Sequence, residues 1–338
     1  LFGLGINDRN APFYARNAIL LVLPWLAAWF ARKRGMALRD ALWLAVPWAA
    51  AAIAMNGYPF DHGGHISQTG TLAALHLPIA LWLAIGVAYT GGQWFAGDGR
   101  MDFVRFSGEL FVHVVLIALG GFLLIGFTMM MFGAIGVRAE WLARDWLVPC
   151  GAAGALLVGA WLVEARQGVT GNMAPVLTRL FTPLFTLLLL AFLATVAWTG
   201  RPVDVQREVL IAADLLLALV LGLVLYSASA RAADAPPNLF DALQVLLVAS
   251  ALAVDVMLLA AVAARISSFG FTPNRVAALG GNLLLLANLA GSARHYIRFM
   301  RGRAPFCALE AWQTAYLPAF SLWATIVVML FPPLFRFL

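Results

Sequence analysis

The stretch "LFDALQVLLVASALAVDVMLLAAVAARISSFGFTPNRVAALGGN", residues 239–282, decides what kind of object this chain is. From 239 to 264 it is apolar apart from Asp241, Gln244, Ser250 and Asp255. At 1.5 Å per residue such a run crosses a hydrocarbon layer of about 30 Å, which needs about 20 apolar residues. A second apolar run starts at Pro273. The corner between them carries its own signals. Gly270 supplies turn freedom, Thr272 is a good helix N-cap, and Pro273 fits the first helical position, where its missing N–H costs nothing. The stretch therefore predicts two membrane-spanning helices joined by a tight, capped turn.

The same pattern recurs outward from it in both directions. The 338 residues are 63% hydrophobic and 11% charged, with a mean hydropathy of +0.88, too apolar for a soluble domain. Ten spans are predicted, near 12–31, 39–55, 71–91, 104–133, 144–164, 175–198, 208–227, 239–264, 273–293 and 312–335. The expected fold is all-α, a polytopic transmembrane helix bundle with about ten spans and no soluble domain, and residues 1–338 form one integral membrane domain. A β-barrel would show short alternating segments instead. The chain begins at Leu1 rather than at a methionine, so a truncated N-terminus is expected.

Charge then sets orientation. The formal charge is +6, from 22 basic and 16 acidic residues. With ten alternating spans, thirteen of the basic residues fall on one side, among them Arg32, Lys33, Arg34, Arg39, Arg294, Arg298, Arg301 and Arg303. That side is expected to be cytoplasmic and both visible ends external. "RHYIRFMRGR", Arg294 to Arg303, suits anionic lipid headgroups. Nothing in the chain supports nucleic-acid binding. Cys150 and Cys307 fall on opposite sides, so no disulfide is expected.

Several features concern packing. Pro24, Pro47, Pro78, Pro183 and Pro318 fall inside predicted spans, where proline removes a backbone donor and kinks a helix unless neighbours compensate. Gly151, Ala155 and Gly159 form a small-residue stripe that lets helix backbones approach closely. It serves packing first and a partner interface second. The fourth run is too long for one straight span and is expected to tilt, to bend near Gly120 and Gly121, or to end at the interface.

Chemistry is sought where polar groups interrupt the apolar runs. Asp255 lies in the eighth span, roughly 13 Å below its outer end, Asp214 roughly 9 Å below the same surface in the seventh, and Asn282 roughly 10 Å down the ninth. An ionised side chain in hydrocarbon costs about 2.5–3.5 kcal/mol even on insertion scales, so it faces the interior and is paired or protonated. The three residues read either as a proton, cation or substrate site or as a structural network locking three helices. Arg265 and Arg275, at the corner above them, run against the charge bias and are candidates for an anion-attracting rim, an outer gate or a headgroup contact.

Two further constellations stand apart. Arg105, Glu109 and His113 share one face at the start of the fourth span, where Glu109 is placed to pair with Arg105; the stripe reads first as an interfacial salt-bridge ladder and second as a site. Asp61, His62 and His65, in the loop "NGYPFDHGGHISQTG", are weak metal candidates that lack a second ligand cluster. There is no nucleotide-binding loop, dinucleotide fingerprint or hydrolase elbow, no cofactor is expected, and an ATP-driven pump in a single chain is not expected.

"RISSFGFTPNR", Arg265 to Arg275, resembles an Arg-x-x-x-(aromatic)-Gly-x-Thr-x-x-Arg signature. "MDFVRFSGELFVHVVLIALGGFLLIGFT", residues 101–128, is similar to the central segment of the same family. That family comprises bacterial polytopic membrane proteins described only as a domain of unknown function, of the DUF four-one-five-three type. The matching positions are Arg265, Gly270, Thr272 and Arg275, then Arg105, Gly108 and Glu109; Phe269 stands where tyrosine is more usual. The resemblance implies an all-helical bacterial inner-membrane protein and supplies no activity. Three function classes stay open. One is a transporter or permease of unknown substrate, with Asp255 as proton or cation carrier, Asp214 its partner and Asn282 a ligand donor. The second is a non-catalytic accessory or assembly subunit that docks a membrane protein partner, for example through the Gly151 stripe. The third is a membrane-embedded enzyme acting on a lipid-linked substrate through Glu109, His113 or the loop histidines.

Overall fold

The computed structural model describes residues 10–62, 65–96, 99–134, 140–166, 174–199, 207–232 and 234–338. The order is α1 (Ala11–Lys33), α2 (Leu38–Gly57), α3 (Gln68–Tyr89), α4 (Arg100–Ala134), α5 (Glu140–Leu142), α6 (Val148–Arg166), α7 (Ala174–Thr199), α8 (Arg207–Ala230), α9 (Leu239–Phe269), α10 (Pro273–Met300), α11 (Cys307–Met329) and α12 (Phe331–Leu334). A π-helical turn, Ala143–Leu147, makes α5 and α6 one continuous rod. Two short strands, β1 (Asp61–His62) and β2 (His65–Ile66), pair antiparallel between α2 and α3, with Asp61 opposite Ile66 and His62 opposite His65.

Among the described residues nine helical spans are long and apolar enough to cross a membrane. The tenth expected span, on α11, is long enough at 23 residues but is diluted by Gln313, Thr314 and Ser321. All three are buried, so α11 is an interior helix whose polar groups face protein. It stops at Met329 rather than near 335. The chain then folds back through α12, and Thr69 N–H donates to the Leu338 carbonyl.

The helices run unbroken through all five prolines. Helix α4 is likewise continuous, about 52 Å long at 1.5 Å per residue. Gly120 and Gly121 have open space where a side chain would stand. The small-residue stripe packs inside the chain: a Cβ on Gly159 would meet Leu110 of α4 at 3.1 Å, and Ala155 is buried, while Gly151 faces open space. At Gly159 the stripe lets α6 pack closely on α4.

Buried apolar side chains form two main clusters. One joins α1, α2, α3, the first turns of α4 and α6 around Phe30, Met55, Ile85 and Phe106. The other joins α7, α8, α9 and α10 around Leu217, Val248 and Leu289. Helix α11 belongs to both, through Val328 to the first and Leu309 to the second. A seam is left where α3 and α4 of one half face α7 and α8 of the other.

The two ends of the bundle differ in charge. At one end Lys33 and Arg34 bracket Glu164, Arg34 with an N–O distance of 3.1 Å. Arg231 pairs with Asp241 at 2.8 Å, and Arg105 meets the end of α8. At the other end Tyr58 donates to the Met329 carbonyl and Asn274 to Gln68. Residues that alternating spans place on one side therefore touch one another.

Candidate functional site

Asp255 sits near the middle of α9 with no solvent exposure, and neither of its carboxyl oxygens has a hydrogen-bond partner among the described residues. Asp214 of the neighbouring α8 lies near enough for the two charges to interact. Asn282 of α10, itself buried, donates from Nδ2 to Asp214 Oδ1 at 3.0 Å. The structure thus brings together the three polar groups that the sequence placed at similar depth. The depth of Asp255 needs correction: α9 continues to Phe269, which puts Asp255 about 21 Å from the helix end rather than 13 Å. Ser267 and Ser268 look like loop in the sequence but are helical here.

The chemistry of this cluster is unequal. Asp214 is half-buried and accepts a hydrogen bond from Asn282. Asp255 is fully buried, with both oxygens unpartnered among the described residues. An ionised carboxylate without a donor or counter-charge is the costliest state a buried group can have. A proton on one oxygen removes that charge without requiring space. A metal cation needs several oxygen ligands at about 2.3–2.6 Å if it resembles calcium, and among the described residues no group of three or more His, Cys, Asp or Glu side chains is placed to hold one.

The corner above the cluster resolves differently for its two arginines. Gly270 takes φ +77°, and the Thr272 hydroxyl accepts from the Arg275 backbone N–H, as an N-cap does. The Arg275 guanidinium donates to the Phe269 and Gly270 carbonyls at 2.9 and 2.8 Å and lies over the Phe269 ring. Its role is to close the last turn of α9, where carbonyls lack helical partners. Arg275 therefore caps the C-terminus of α9. Arg265 lies about 15 Å further along α9 than Asp255, beyond direct contact with it.

The second stripe also rearranges. Arg105 donates through Nε to the Ser229 carbonyl at 3.0 Å and through a second nitrogen to the same oxygen. Its nearest carboxylate is Asp102, at 3.8 Å, so the expected Arg105–Glu109 ion pair does not form. The physical reason is the α8 terminus, whose unpaired carbonyl offers a better-aligned acceptor. His113 Nδ1 is held at 2.8 Å from the Glu109 carbonyl. Gly108 lets the Tyr226 ring of α8 approach so closely that a Cβ there would lie 2.4 Å from it. The side chains of Asp61, His62 and His65 lie outside the described residues.

Several participants carry no clear sequence signal. Glu164, with a side chain 2% exposed, is gripped by Lys33 and Arg34, 131 and 130 residues away. Gln244 joins three helices, donating to Thr182 at 3.1 Å and Ser227 at 2.9 Å. Gln313 is fully buried with both amide atoms unpartnered among the described residues. Glutamine at these positions marks polarity in an apolar run, which is the only signal available. The seam between the two halves encloses about 880 Å³, lined almost wholly by apolar and aromatic side chains from α3, α4, α7, α8 and α11.

Compared with family models, with curated proteins and with solved structures, the chain has no match.

Proposed function

We propose that this multi-pass membrane protein is a proton-coupled carrier of the bacterial inner membrane, with its basic end in the cytoplasm. Asp255 is the proton-binding group, Asp214 its electrostatic partner, and Asn282 the donor that holds Asp214. The observation that carries this reading is Asp255 itself, fully buried in the middle of a membrane-length helix with both oxygens unpartnered beside a second carboxyl. Ionisable groups inside the membrane mark proton and ion pathways. A purely structural network would have supplied Asp255 with donors, as it does for Asp241 and Glu164.

The test uses the full chain in proteoliposomes with an entrapped pH indicator and a potassium diffusion potential. Potential-driven proton uptake is expected in the wild type and is expected to vanish in Asp255→Asn, which keeps the shape and removes the titrating group. Equal uptake in the two would end the proton-carrier reading.

A further inference from the structure

We propose that the groove between α10 and α11, at the basic end of the bundle, binds an anionic phospholipid, with its phosphate on Arg294 and Arg298 and an acyl chain along Trp312, Tyr316 and Phe320. The site does not depend on the proton-carrier reading: Arg294 lies about 18 Å along α10 from Asn282. The groove is built at Gly291, where a Cβ would lie 2.1 Å from the Trp312 ring, so the ring lies against the α10 backbone. Trp312 Nε1 donates to the Asn288 carbonyl at 3.2 Å, which fixes the ring. His295, one turn beyond Gly291, stacks on it, with centroids 5.9 Å apart and planes 27° apart. Arg294 and Arg298 lie near enough to His295 for their charges to act on it. The two arginines therefore stand at the head of the groove that Trp312 opens.

The groove has a charged head and an apolar length. Arg294 and Arg298 are exposed, and neither pairs with a carboxylate or donates a side-chain hydrogen bond among the described residues. Other arginines at this end are engaged within the protein, Arg105 with the Ser229 carbonyl and Arg231 with Asp241. Glu310, the one acidic residue of α11, interacts with those same two arginines instead. From Trp312 the rings continue along α11 at four-residue spacing. Trp312, Tyr316 and Phe320 have successive centroids 5.4 and 5.3 Å apart. They cover about 12 Å of helix, leading away from the basic end. Ala311 and Ala315, next to the first two rings, are exposed, and their small side chains leave the ring edges open to hydrocarbon.

Charge and length together select the occupant. A soluble anion would use the arginines and leave the rings unused. A zwitterionic lipid carries its own cation, which two arginines repel. An anionic phospholipid meets both parts of the groove. Its phosphate accepts charge-assisted hydrogen bonds from the planar guanidinium forks, and its chain covers the ring edges. Each basic residue beside an anionic headgroup contributes about a fivefold gain in affinity.

The test titrates phosphatidylglycerol into the purified full chain in detergent micelles and counts bound lipid by native mass spectrometry. Binding of phosphatidylglycerol in preference to phosphatidylcholine is expected. Arg294→Gln combined with Arg298→Gln is expected to weaken it about tenfold or more. Tyr316→Ser, which interrupts the rings, is expected to weaken it roughly two- to tenfold. Arg32→Gln combined with Arg39→Gln removes two exposed arginines elsewhere at the same end and is expected to change little. Equal loss in the two double variants would show only a general attraction of lipid to a basic surface and would overturn the site. Equal binding of phosphatidylcholine would overturn it too, as would binding unchanged in either the Arg294 and Arg298 double variant or Tyr316→Ser. Inorganic phosphate competing at the lipid's own concentration would make this a site for a soluble anion and end the lipid assignment. Proton uptake that depends on Asp255 stands or falls separately from each of these results.

Discussion

At the scale of single residues, Asp255 and Asn282 are neighbours with opposite energetics. Asn282 donates a hydrogen bond to a carboxylate, an interaction worth about 1.5–3 kcal/mol when an ionised group takes part. Asn282→Ala is therefore expected to destabilise the protein by about that amount and to lower its thermal transition. Asp255 makes no such bond among the described residues and is fully buried. Leucine has the same branching, so Asp255→Leu relieves an unsatisfied buried group and is expected to raise stability by about 1–3 kcal/mol. Thermal unfolding of the purified variants, followed by tryptophan fluorescence, distinguishes the two signs. If Asp255→Leu falls as far as Asn282→Ala, Asp255 belongs to the structural network and its role as a proton site is lost. A residue whose removal stabilises the fold but abolishes uptake is held there for function.

At the scale of elements, the α8–α9 connection shows how much one side chain can organise. Arg231 donates to both oxygens of Asp241, at 2.8 and 3.0 Å, and to the carbonyls of Ala232, Ala235 and Pro236. Its guanidinium lies between Phe299 of α10 and Phe306 at the start of α11, 4.5 and 4.4 Å from the ring centroids. Asp241 also completes the capping box of α9 with Asn238. Removing one partner of a buried ion pair strands the other, at about 3–5 kcal/mol. Arg231→Ala should therefore open residues 234–238 to proteolysis and lower the thermal transition, and Arg231→Lys should rescue little because an ammonium cannot form the fork. Retained protease resistance in Arg231→Ala would show that the loop is held by other contacts. In the sequence Arg231 reads only as one more charge on the basic side. Hydropathy places the long helices within a few residues, because span length is a property of each segment alone. The corner at Gly270, Thr272 and Pro273 is equally local. Partnering is not: Arg105 and Arg275 bind backbone carbonyls, and a carbonyl has no residue type to read. The Glu164 clamp closes across 131 residues, a distance over which no periodicity speaks. Asp214 and Asn282 lay between these limits, since their depths were legible but the faces they present were not.

At the scale of the molecule, the clustering of charge at one end sets the expected orientation. The Lys33–Glu164–Arg34 bracket, the Arg231–Asp241 clamp and the basic segment Arg294 to Arg303 all belong to that end. Positive residues are retained on the cytoplasmic side of a bacterial inner membrane, so this end faces inward if the proposed location is right. Cys307 reports on it directly. It opens α11 immediately after the basic segment and is exposed, with a free thiol. Cys150, the other cysteine, lies within the membrane-length rod formed by α5 and α6, so a Cys150→Ser background isolates the signal. A membrane-impermeant maleimide is expected to label Cys307 in inverted membrane vesicles and not in intact spheroplasts. Labelling from the outside would reverse the bundle. It would also reverse the direction in which a proton bound at Asp255 has to travel to drive uptake, so the flux experiments have to be read against this result.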